Sequence, residues 1–61
     1  MKVSELIKLL KKHGCYLVEH GKVHDEWYSP ITNSHFRIPR HKSKEIPNGT
    51  LNNILKVAGL R

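Results

Sequence analysis

The chain has 61 residues, with 11 Lys and Arg against 5 Asp and Glu, a net charge of +6 and a pI near 9.8. This length makes one domain, residues 1–61, and a domain so small buries only about 60% of its unfolded surface. The single Cys excludes an intramolecular disulfide, and no apolar run is long enough to span a membrane. The excess of cations makes a polyanion the default partner, either nucleic acid or an acidic protein that imitates it. The first residues lack a signal-peptide pattern, so a reducing, cytoplasmic location is expected.

Val3, Leu6, Ile7 and Leu10 fall at helical spacing, which predicts a helix over Ser4–His13. Ser4 is the expected N-cap, with Glu5 at the positive end and Lys11, Lys12 and His13 at the negative end. Gly14 is the expected stop. Cys15–His20 alternates with period 2 and predicts a strand, followed by a tight His20-Gly21-Lys22 turn in which Gly21 is free to take positive φ. Val23–Ser29, containing Trp27 and Tyr28, predicts a second strand. A turn over Pro30–Ser34, with Asn33 suited to a left-handed conformation, leads to a third strand, His35–Ile38, ended by Pro39. A polar arm, Arg40–Ile46, then precedes a helix from Pro47 or Asn48 to Ala58. That helix has Leu51, Ile54, Leu55 and Ala58 as its apolar face and Gly59 as its stop; Thr50 could cap a later start.

The order is α-β-β-β-α. A three-stranded antiparallel sheet with both helices on one face is the α+β solution for so short a chain, and it is the order of double-stranded-RNA-binding domains.

Strand parity sorts the side chains after the turn. His24, Glu26 and Tyr28 share one face, while Val23, Asp25 and Trp27 share the other. Val23 and Trp27 are expected to face the helices, leaving His24 on the open face beside Glu26, whose charge would stabilise an imidazolium. An exposed imidazole can serve RNA cleavage as the base for the 2′-OH proton or the acid for the leaving 5′-oxygen. Taken alone, His24 is one of five histidines, and an exposed strand residue with no task accounts for it as well. Arg37, Arg40, Lys42 and Lys44 cluster in and after the third strand and can neutralise phosphates. Lys22 and His41 are taken with them as RNA contacts. Tyr28 is the candidate for stacking a base, and Trp27 is expected in the core. Cys15, His20 and His24 have ligand chemistry but no paired metal-binding spacing, so no metal or other cofactor is expected.

Several stretches together resemble the HicA family of toxin–antitoxin modules. They are Ser4–Gly14; Gly21-Lys22-Val23-His24, similar to the family's Gly-x-x-His; Pro39-Arg40-His41 followed by Lys44-Glu45-Ile46; and Gly49-Thr50-Leu51 with Ile54–Leu60. The resemblance covers essentially the whole chain. It implies a metal-independent endoribonuclease that cleaves mRNA, with a double-stranded-RNA-binding-like fold and a HicB-type antitoxin that covers the active site. Any DNA contact would then run through the antitoxin. The family's catalytic histidine carries over onto His24. Many members have a second histidine directly after it, where this chain has Asp25. A second proton-transfer group would have to come from elsewhere, with His41, His35 and Lys44 as candidates. Two other classes stay open at this point: a non-catalytic RNA-binding module of the same shape, and a domain that contacts only proteins.

Overall fold

The computed structural model describes residues 1–61. Its elements are α1 (Val3–Lys12), β1 (Tyr16–His20), β2 (His24–Ser29), β3 (Ser34–Pro39) and α2 (Asn48–Ala58). The strands form one antiparallel sheet in the order β1-β2-β3, so the expected α-β-β-β-α architecture is the one observed.

One face of the sheet carries the core. Val3, Leu6 and Leu10 from α1 meet Trp27, Phe36 and Ile38 from the strands and Ile54 and Ala58 from α2. Leu6, Leu10 and Ile38 are almost wholly withdrawn from water, and each such side chain contributes about 1.5–3 kcal/mol of transfer free energy. Trp27 is buried as expected, although its indole N–H has no acceptor in the chain. Ser29, also on the inner face, is satisfied by donating to the Ala58 carbonyl at 2.6 Å. This bond and that from the Thr32 hydroxyl to the Val57 carbonyl tie the β2–β3 turn to the end of α2.

The glycine stops behave as expected. Gly14 and Gly59 take φ of 88° and 81°. At each the following N–H reaches back five residues, Cys15 to Leu10 and Leu60 to Leu55, both at 2.9 Å, which satisfies carbonyls at the helix end. Asn33 is left-handed at φ 53°.

Three local expectations are corrected. Ser4 is not the N-cap of α1. The helix begins at Val3, after Lys2, whose N–H donates to the Glu5 carboxylate at 2.9 Å. The free N–H groups of Val3 and Ser4 donate to the carbonyls of Lys44 and Lys42 at 3.0 and 2.9 Å. A distant segment thus does the capping, and local sequence cannot show it. Pro47 stands immediately before α2, and Thr50 lies inside that helix rather than capping it. The arm, finally, is not simply a solvated linker. Lys2 and Glu45 form an antiparallel bridge, the Ile46 N–H donates to the Met1 carbonyl at 2.9 Å, and Ile46 is buried.

The N-terminal ammonium also pairs with the Glu45 carboxylate. Its hydrogen bond and charge, with a smaller contribution from Lys2, hold that carboxyl below the usual carboxylate range. A lowered folded-state pKa means the pair stabilises the arm above the ordinary glutamate range, and its contribution is lost as pH falls through the lowered value. The pair is exposed, so its effect is small and screened by salt. Acetylating the N-terminal amine should return the Glu45 carboxyl towards the ordinary range, read by an NMR pH titration of its side chain. An unchanged midpoint would rule out the ammonium as the cause.

Candidate functional site on the open sheet face

The other face of the sheet has no helix over it. It carries His24, Glu26 and Tyr28 from β2, with His35 and Arg37 opposite Tyr28 and Glu26 on β3. Tyr16 and Glu19 stand opposite Tyr28 and Glu26 on β1. Parity alone would have sent Glu19 inward with Leu17. A bulge between Leu17 and Glu19 inserts Val18 as an extra residue and turns Glu19 to the open face.

A shallow hollow of about 330 Å³ opens here, lined by Glu19, Gly21, Lys22, Val23, His24, Glu26 and Arg37. His24 is exposed at its edge, and its imidazole makes no hydrogen bond to another side chain or to the backbone of the chain. Lys22 and Arg37 supply cations within the same hollow. Glu26 lines the hollow with His24 as expected and also lies 3.0 Å from the His35 Nδ1, so this carboxylate is shared between the hollow and the ring end of the face.

The turn that presents His24 is fixed by contacts at its base. Gly21 is needed for close approach rather than for positive φ, since a Cβ there would lie 2.1 Å from the His24 carbonyl oxygen. Arg40 donates from Nη1 to the Gly21 carbonyl at 2.8 Å, and its backbone N–H donates to the Val23 carbonyl at 3.3 Å. Its Nε lies 3.4 Å from the Asp25 carboxylate, which also meets the His20 Nδ1 at 3.2 Å. Asp25, at the turn end of the central strand, therefore resolves its inward-facing charge by binding two partners. Val23, expected to face the helices, is instead exposed and precedes the strand.

The other sequence-chosen residues divide clearly. Arg40 braces the turn. Lys42 and Lys44 are exposed and form no ion pair, while their backbone carbonyls cap α1. His41 is exposed in the same arm, and its carbonyl accepts from the Lys44 N–H at 3.1 Å. His35 is remote from His24. The latter faces Pro39 across the strands, and four residues of strand place His35 about 14 Å along the sheet. Cys15, His20 and His24 do not converge, because Cys15 is buried in the core and His20 stands with Asp25 on the other side of the turn. Tyr16 is a feature that residue-by-residue reading missed. Its ring lies 5.5 Å from that of Tyr28, which lies 4.9 Å from His35.

A family model described as the HicA toxin of bacterial toxin–antitoxin matches residues 3–60. The chain belongs to the HicA toxin family. It is therefore a toxin of a toxin–antitoxin system, and membership implies an antitoxin partner. Comparisons with curated proteins and with solved structures find no match. No helix of this HicA chain is long and apolar enough to cross a membrane.

Gly21→Ala should displace the turn, because the obstructing atom is backbone. A loss of about 1–3 kcal/mol is expected, read from denaturant midpoints, with amide chemical-shift changes centred on residues 20–24. Arg40→Lys keeps the charge but not the fork that meets the Gly21 carbonyl and Asp25 together. Global stability should fall by less than about 1 kcal/mol, while hydrogen exchange at residues 21–24 accelerates. Unchanged exchange there would deny Arg40 its bracing role.

Proposed function

We propose that this HicA-family toxin is a metal-independent endoribonuclease that cleaves mRNA, with His24 as its proton-transfer residue. The observation that carries the reading is the hollow on the open sheet face, where an exposed imidazole stands beside Lys22 and Arg37. In cleavage of this kind the 2′-oxygen attacks the adjacent phosphorus and the bond from phosphorus to the 5′-oxygen breaks. One proton leaves the 2′-OH and one joins the 5′-oxygen. His24 is free of intramolecular partners and able to carry either proton. Arg37 offers a planar fork to the phosphorane oxygens and Lys22 a point charge.

Lys42, Lys44 and His41 extend the cationic surface at the same end of the sheet, since the arm leaves β3 opposite His24. RNA is expected to run from the hollow along this arm. With Asp25 braced to Arg40 and His35 distant, the second proton is left to solvent or to a group from the arm. A HicB-type antitoxin covering this face would keep RNA away from His24, and a cytoplasmic setting suits an mRNA substrate.

His24→Ala should lower cleavage of labelled mRNA by about 10²–10⁴-fold in buffer containing EDTA, with the circular dichroism spectrum and unfolding midpoint unchanged. Cleavage at the parent rate would remove His24 from the mechanism. RNA that is bound in a salt-dependent way but stays uncut by the parent protein would replace the nuclease with a binding module.

A further inference from the structure

We infer that Tyr16, Tyr28 and His35 form a nucleobase-stacking subsite on the open sheet face, which restricts this toxin to single-stranded RNA. The inference rests on the nuclease reading of the same face and extends it to the form of the substrate. The three rings make a continuous row across β1, β2 and β3, with centroids 5.5 and 4.9 Å apart and planes tilted by 46° and 59°. Tyr16 is 52% exposed and His35 is exposed, so the row presents ring surface to solvent instead of burying it. Two of the rings are held in place before any ligand arrives. The Tyr28 hydroxyl donates to the Asn33 Oδ1 at 2.8 Å, and Asn33 sits in a left-handed turn. The His35 Nδ1 lies 3.0 Å from the Glu26 carboxylate. Rings fixed in this way lose little freedom when a base stacks on them.

The charges on the face orient the strand. Glu19 and Glu26 stand opposite each other on the ring side of the hollow they help to line, and they repel phosphate from the centre of the sheet. Lys22, beside His24, and Arg37, opposite Glu26 on β3, attract it into the hollow. A nucleic acid strand therefore lies with its phosphates towards the cations and one base turned onto the rings. The ring row is two strand residues beyond Glu26 and four beyond His24, so the stacked base and the cleaved phosphate belong to different nucleotides. A base within a duplex cannot offer its flat face to such a row, because both faces are already stacked. An unpaired base can.

The test uses a short 2′-O-methylated single-stranded RNA, whose capped hydroxyls cannot attack, and the intact protein. Affinity is measured for the parent, Tyr16→Ala, Tyr28→Ala and Tyr28→Phe, with unfolding midpoints to confirm folding. Each alanine should weaken binding by between about 5-fold and 150-fold, the range for one stacked base. Tyr28→Phe keeps the ring and should retain most of the affinity even though the Asn33 bond is lost. The same oligonucleotide made abasic should bind more weakly to the parent and show no response to either alanine. Duplex RNA should show no response either. Alanine variants that bind the single strand as the parent does, or that weaken abasic and intact strands equally, would overturn the subsite. So would unchanged RNA affinity with lost retention of the antitoxin, since the row would then serve a protein. Cleavage that persists alongside unaltered affinities would leave the nuclease reading standing without the subsite. Ring-dependent binding by a protein that cuts no RNA would do the reverse.

Discussion

Both helices pack on one face of the three-stranded sheet, and no element of these 61 residues lies over the other. Most other features follow from this one-sided packing. Trp27, Ser29, Phe36 and Ile38 must share a face to give α1 and α2 a core. Every alternate residue is then obliged to stand in water. His24, Glu26, Tyr28, His35 and Arg37 lie together because the pleat leaves them no alternative, and they form an open surface instead of an enclosed cavity.

That surface is polarised along the strands. At one end Lys22, Arg37 and His24 line a hollow together with the carboxylates of Glu19 and Glu26, and at the other three rings form a row. The turn at the cationic end is rigid for reasons of backbone geometry and local charge. Gly21 admits the His24 carbonyl where no side chain fits, and Arg40 joins the Gly21 carbonyl to Asp25. Asp25 helps to anchor the turn that presents His24.

The arm has a double role. Its backbone carbonyls end on α1, where Lys42 and Lys44 accept from Ser4 and Val3, while the side chains of the same residues remain free in water. A segment that looks like a charged linker thus closes the fold with its main chain and widens the cationic surface with its side chains. Binding of a polyanion along it would meet a backbone already ordered, so little chain entropy opposes it.

The amino-acid sequence by itself determined the element order, the apolar faces of the helices and the membership of His24 in the open face. Periods of 3.6 and 2 and glycine stops are local properties, and they carry over into the fold wherever no bulge or distant contact intervenes. Only the tertiary structure decided what depends on register and on contacts between distant residues. The bulge at Val18 reversed the side on which Glu19 lies, and no alternating pattern records an inserted residue. Glu26 came to lie between His24, with which it lines the hollow, and His35, with which it pairs. Arg40, one cation among several in the sequence, became a brace because the end of β3 returns to the Gly21 turn. Tyr16 joined the site because β1 pairs with β2 in one particular register. Local patterning therefore placed His24 on the open face, while the geometry of strand pairing decided its neighbours.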